Sequence, residues 1–129
     1  MKKSKEQFME QYIYYVLEMR KATSKGDYRT NNKYARKSIK LNERYENEDY
    51  FNEVLNELMD DNDLEIAFSA ASDSLRKNVN IDKAIRKLEE ISSKKDIDNK
   101  SDFNVNYYSA FRAEIVLNIW KEKGAEGLK

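Results

Sequence analysis

The sequence contains no histidine, no cysteine and no proline, and only three glycines among its 129 residues. Without histidine it lacks the commonest general base near neutral pH and the commonest metal ligand. Without cysteine it can form neither a disulfide nor a thiolate metal site. Proline and glycine punctuate turns, so their scarcity in a chain that is 37% charged and 40% hydrophobic favours long helices over strands.

The chain also lacks long uncharged stretches. The longest, Phe103–Phe111, has nine residues, far short of the roughly 20 that a membrane-spanning helix needs. Met1-Lys2-Lys3 resembles the charged start of a signal peptide, but the apolar run Tyr12–Leu17 is short and no cleavage site follows it. We therefore expect a cytoplasmic protein with no membrane partner, folded as one domain over residues 1–129.

Apolar residues recur at helical spacing along most of the chain and predict an all-α fold of about six helices. Gly26 is placed to end the first helix, Asp27 to cap the second, and Asp61 or Asp63 to cap the fourth. Residues 92–102 show no apolar period and are predicted to form the longest loop. The helices are expected over residues of about 4–25, 28–45, 48–59, 63–75, 82–91 and 103–123.

Side-chain size predicts which helix lies inside. The fourth predicted helix carries alanine and serine where its neighbours carry larger residues, so other backbones can approach it closely and we expect it to be sandwiched. The second predicted helix is expected to bury Tyr28, Ala35, Ser38, Ile39 and Tyr45. The last one is expected to bury Phe103, Tyr107, Phe111, Ile115 and Ile119, with Trp120 also in the core.

Three stretches carry a resemblance to a known family. Asp61–Leu75 and the amphipathic segment after it resemble a HEAT-type repeat, with Ala67 where such repeats usually have arginine. With Gly26-Asp27-Tyr28 and Phe111–Lys121, the chain is similar to a family of small bacterial HEAT-like helical-repeat proteins defined as a domain of unknown function. The resemblance implies antiparallel helix pairs in a short right-handed α-superhelix, and it implies no catalytic residues.

The net charge is zero, but the charges are segregated along the chain. Residues 1–44 carry 12 basic and 5 acidic side chains (+7), residues 45–75 carry 10 acidic and no basic ones (−10), and residues 76–129 carry 12 basic and 9 acidic ones (+3). Six cations fall within about 100° of the circumference of the second predicted helix: Arg29, Lys33, Arg36, Lys37, Lys40 and Arg44. Five carboxylates line the outside of the third: Glu46, Asp49, Glu53, Glu57 and Asp60.

Two accounts of these charges stay open. The two sets either neighbour each other and form exposed ion pairs worth about 0–1 kcal/mol each, or lie on separate surfaces that meet a partner. We expect a non-catalytic intracellular protein-interaction module of adaptor or immunity type that binds a basic protein partner through its acidic, tyrosine-bearing face. The alternative is a helical protein that binds nucleic acid through the basic face.

Catalysis is the least favoured function. The cluster Asp60–Asp63 resembles a metal loop, but it lacks the glycine and the distal glutamate of an EF-hand, and helix capping explains it better. We expect no catalytic residue, no metal and no cofactor. Among the nine tyrosines, Tyr14-Tyr15 and Tyr107-Tyr108 are adjacent pairs, so one member of each should lie at the margin of the core.

Overall fold

The computed structural model describes residues 3–93 and 105–129, except for the side chains of residues 105–108. No strand occurs within these ranges, which confirms the prediction of an all-α fold with about six helices. The elements are α1 (Lys5–Ser24), α2 (Tyr28–Tyr45), α3 (Phe51–Leu58), α4 (Leu64–Arg76), α5 (Ile81–Ser93), α6 (Val105–Lys123) and a 3₁₀ turn (Gly124–Leu128). Most of the predicted loop over residues 92–102 lies outside the described residues.

The chain divides into two compact units, Met1–Val54 and Leu55–Lys129. In the first unit, local signals set the ends of the helices. The Ser4 hydroxyl accepts a hydrogen bond from the backbone N–H of Gln7 (3.1 Å) and begins α1. Gly26 adopts a left-handed φ of 71° after α1 ends, and Asp27 caps α2 by accepting from the N–H of Thr30 (3.1 Å). The predicted ends of these two helices are therefore confirmed.

Aromatic rings form the core of the first unit. The Phe8 ring stacks on the rings of Tyr45 and Phe51, with centroid distances of 4.7 and 5.5 Å, and meets Tyr12 edge-on at 6.0 Å. All four side chains are buried. The apolar side chains of α3 and of the residue after it are also buried: Phe51, Val54, Leu55, Leu58 and Met59.

The predicted inner face of α2 is wrong at two positions. Tyr28 and Ile39 are 75% and 59% exposed. The buried residues of α2 are Ser38, Leu41, Asn42 and Tyr45. Ile39 lies about 100° around the helix from Ser38, so a face centred on Ser38 turns Ile39 outward and Leu41 inward.

In the second unit, α4 packs against both α5 and α6, as its small side chains predict. Ala70, Ala71 and Ser74 are fully buried. Asp63 caps α4 by accepting hydrogen bonds from the backbone N–H groups of Glu65 (2.9 Å) and Ile66 (3.4 Å). The capping prediction is therefore confirmed for this helix.

The predicted face of α6 is wrong at two positions. Phe111 and Ile115 are 51% and 44% exposed, and Ile119 and Trp120 are half-buried rather than enclosed in the core. The side chains of Phe103 and Tyr107 lie outside the described part. The buried residues of α6 are mostly small: Ser109, Ala110, Ala113, Val116 and Leu117. Because these side chains are small, the α6 backbone can approach the small side chains of α4. Bulky rings on this side of α6 would hold the two helices apart.

The chain end folds back after α6. The carbonyl of Leu128 accepts a hydrogen bond from Nε of Arg76 (2.9 Å), which ties the 3₁₀ turn to the end of α4. Gly127 lies so close to α6 that an added Cβ would sit 2.6 Å from Cβ of Lys123. Glycine is needed here for close approach rather than for a left-handed backbone.

Candidate interaction surfaces

The six cations predicted on α2 form one continuous surface, which we call the basic stripe: Arg29, Lys33, Arg36, Lys37, Lys40 and Arg44. All six side chains are exposed, and the stripe extends about 22 Å along the helix axis. Within residues 3–93 and 105–129, none of them forms an ion pair. Their charge is therefore not neutralised by the part of the protein that the structure describes.

Three tyrosine rings border one edge of the basic stripe and form what we call the tyrosine cluster. Tyr14 and Tyr15 of α1 meet Tyr34 of α2 with centroid distances of 6.0 and 5.9 Å. Nζ of Lys33 lies 5.6 Å from the centroid of the Tyr34 ring. Nζ of Lys37 lies 5.5 Å from that centroid and 6.0 Å from the centroid of Tyr15. Two cations of the stripe are thus held over aromatic rings.

The Tyr14 hydroxyl of the cluster stays uncharged near neutral pH. A hydrogen bond with Tyr34, then the charges of Tyr34 and Glu18, raise the pKa of the Tyr14 hydroxyl above its ordinary value of 10.0. Tyr14 therefore adds no negative charge beside the stripe. Tyr14 is 51% exposed and Tyr15 is half-buried, which confirms that one member of this pair lies at the margin. The other pair, Tyr107-Tyr108, lies outside the described side chains.

Two exposed apolar side chains border the opposite edge of the basic stripe. On a helix of 100° per residue, Ile39 lies about 60° beyond Arg36, and Tyr28 lies about 20° further round. Both were expected in the core and are instead at the surface. The projection of α2 holds a signal for this, because the apolar side chains of Leu41 and Tyr45 share a side of the helix that lies more than 100° from Ile39.

The acidic face keeps all five of its predicted carboxylates exposed: Glu46, Asp49, Glu53, Glu57 and Asp60. Lys5 Nζ lies 2.8 Å from Glu53 Oε1, and Lys83 Nζ lies 2.6 Å from Asp60 Oδ2. The hydrogen bond from Lys83 lowers the pKa of Asp60. Neither lysine belongs to the basic stripe. Ion pairing between the two predicted charge sets is therefore not observed in the described ranges.

The tyrosines nearest the acidic face in sequence are not displayed on it. Tyr45 is buried, and Tyr50 is half-buried with its hydroxyl oxygen enclosed. Burial, followed by the charge of Glu48, raises the pKa of Tyr50. Among the tyrosines whose side chains the structure describes, the strongly exposed ones are Tyr14 and Tyr28, which border the basic stripe.

No protein-family model matches this chain. Comparisons with curated proteins and with solved structures give no match either. The HEAT-like resemblance therefore stays a prediction, and functional reasoning depends on the surfaces. In the part of the chain that the structure describes, no helix has the length and apolar character of a membrane span.

The carboxylates at residues 60–63 have structural partners. Asp61 Oδ1 accepts a hydrogen bond from the backbone N–H of Asp63 (2.8 Å), Asp63 caps α4, and Asp60 pairs with Lys83. Across the described ranges, no group of three or more acidic side chains is arranged to hold a metal ion. The cluster therefore begins a helix.

A buried polar network joins α4 to α6. Glu65 accepts hydrogen bonds from the Ser109 hydroxyl (2.5 Å) and from Nη1 of Arg112 (3.1 Å). The Arg112 guanidinium also lies 4.4 Å from the centroid of the Phe68 ring. Sequence reasoning missed this network because its partners are 44 and 47 residues apart. Glu65 is thereby engaged by two donors and is poorly placed to act as a free base.

Proposed function

We propose that this protein is a non-catalytic protein-interaction module of adaptor or immunity type. One observation carries the proposal: the acidic face and the basic stripe are both exposed, and no ion pair joins them among the described residues. Like charges three or four residues apart on a helix repel one another and destabilise it slightly. The same clustering steers encounter with a partner of opposite charge and discourages partners of like charge.

The proposal assigns no catalytic residue, no metal and no cofactor. The sequence offers neither histidine nor cysteine, and the buried carboxylate of Glu65 already binds Ser109 and Arg112. Surface shape, charge and exposed apolar groups remain as the means of action.

A basic protein is the first partner that we propose, bound through the acidic face. Support comes from the exposure of all five of its carboxylates and from the absence of any basic residue in residues 45–75. The pairs that Glu53 and Asp60 make with Lys5 and Lys83 are solvent-exposed, so exchanging these lysines for the cations of a partner costs about 0–1 kcal/mol each.

Affinity purification from the native host, with the captured protein identified and then purified, tests this proposal. We expect one basic protein in stoichiometric amount, with its affinity reduced about tenfold or more by Glu53→Lys/Glu57→Lys. The matched control is Glu10→Lys/Glu89→Lys, which makes the same change in net charge at exposed sites off the face. Equal affinity of both variants would remove the acidic face from the proposal, and turnover of a substrate would overturn the non-catalytic assignment.

Nucleic-acid binding by the basic stripe stays the alternative prediction. Proteins that bind single strands present open aromatic faces on which bases stack. Here the rings of Tyr15 and Tyr34 pack against Tyr14, and ammonium groups of Lys33 and Lys37 lie over them. This arrangement favours a protein partner over stacked bases.

A further inference from the structure

We propose that the surface of α2 is a docking site for an acidic amphipathic helix of a partner protein. The site consists of the basic stripe, the tyrosine cluster along one edge, and Tyr28 and Ile39 along the other. The inference rests on the proposed protein-interaction function and adds a second surface to it. The partner of this second surface is acidic, whereas the partner of the acidic face is basic.

Charge complementarity selects the acidic partner. Neighbouring cations along the stripe are mostly three or four residues apart, which corresponds to a rise of about 4.5–6 Å. A partner helix with glutamates three or four residues apart repeats at the same interval. Its carboxylates can therefore face the cations in succession along about 22 Å of α2. No ion pair within the described residues has to be broken first.

The edges of the stripe select a protein rather than a nucleic acid. Tyr28, Ile39 and Tyr14 are 75%, 59% and 51% exposed, an unusual density of large apolar groups beside six cations. Tyrosine and arginine are the residues that most often anchor protein interfaces, where burying apolar side chains supplies affinity. A phosphate backbone offers Ile39 no apolar contact. An amphipathic helix offers carboxylates to the stripe and leucine-like side chains to the edge formed by Tyr28 and Ile39.

Fluorescence anisotropy with a labelled synthetic peptide tests the inference. The probe is an amphipathic helix of about 20 residues, with glutamates along one face and leucines beside them. The comparison ligands are the same peptide with serine in place of leucine, a single-stranded oligonucleotide and a DNA duplex of similar length. We expect the full-length protein to bind the first peptide. It should bind the serine peptide and both nucleic acids at least about tenfold more weakly.

Two pairs of variants separate the charge from the apolar edge. Lys33→Glu/Lys40→Glu should weaken peptide binding about tenfold or more, whereas Lys121→Glu/Lys123→Glu, which makes the same change in net charge on α6, should leave it within about twofold. Ile39→Ser should weaken it about fivefold or more, whereas Ile115→Ser, an exposed isoleucine elsewhere, should not. Circular dichroism checks that each variant keeps its helices.

Three results would overturn the inference: no peptide binding, tighter binding of an oligonucleotide, or no effect of Ile39→Ser. These are distinct from failure of the proposed function. A host partner that depends on Glu53 and Glu57 would leave the proposed function standing even if the α2 surface bound nothing. Peptide binding to α2 would conversely support this inference even if the acidic face had no partner.

Discussion

Large aromatic rings dominate the core of residues 1–54, whereas the core of residues 55–129 combines aliphatic side chains with the small residues of α4. In the first unit Phe8 lies against Tyr45 and Phe51. In the second, Ala71 and Ser74 are fully buried on α4. Stacked rings fill the core of the first unit, while alanine and serine on α4 leave room for the neighbouring helices α5 and α6. The two units therefore reach dense packing with side chains of different size.

The units also differ in how they treat charge. The second unit pairs charges internally: Glu65 with Arg112, and Arg76 Nη1 with Asp73 Oδ1 at 2.6 Å. The first unit also forms ion pairs, such as that between Lys5 and Glu53, but its whole basic stripe is left without ion pairs among the described residues. Charges that stabilise a fold are matched within it, so an exposed set that is not matched is the better candidate for contact with another molecule.

The largest expected effect comes from breaking the aromatic core of the first unit. Phe8→Ala removes a fully buried ring and its contacts with three aromatic neighbours. It should therefore lower the free energy of unfolding by about 3–5 kcal/mol. Tyr14→Ala on the same helix removes a half-exposed ring and should cost less than about 1 kcal/mol. Urea unfolding followed by circular dichroism measures both. Equal losses would contradict the assignment of the core to Phe8.

A smaller loss of stability is expected from breaking the hydrogen-bonded network of Glu65 in the second unit. Arg112→Met leaves the buried Glu65 with one donor fewer, so the free energy of unfolding should fall by about 2 kcal/mol. Adding Glu65→Leu should cost less than the two single changes together, because the double variant leaves no unpaired buried charge. Fluorescence of Trp120, which lies in this unit, reports the unfolding. Strict additivity would show that the two side chains do not interact.

The smallest effect concerns the start of α2 in acid. Hydrogen bonds with Thr30 lower the pKa of Asp27 below its ordinary value of 3.8. A lowered pKa in the folded state means that the capping contribution is present above the unfolded pKa and is lost as the pH falls through the folded one. The amide signals of the first turn of α2 should therefore shift below about pH 4 in an NMR titration. Asp27→Asn keeps a capping side chain and should abolish that step.

The extent of α2 and its basic stripe were predictable because both depend on residues close together in sequence. Asp27 meets the backbone three residues later, and the stripe is a consequence of 3.6 residues per turn. The buried side of α6 was not predictable in this way. Two apolar sides compete on that helix, and the structure leaves Phe111 and Ile115, which belong to the longer stripe of large residues, exposed.

The sequence by itself determined the all-α class, the helix caps at Ser4, Asp27 and Asp63, and the collection of cations on α2, since each follows from local spacing. Only the tertiary structure decided that Ser109 and Arg112 turn toward Glu65, across 44 and 47 residues of chain. It also decided that Ile39 faces outward beside the basic stripe. Helical periodicity restricts the sides that a helix can bury, and contact with distant small or charged residues selects among them.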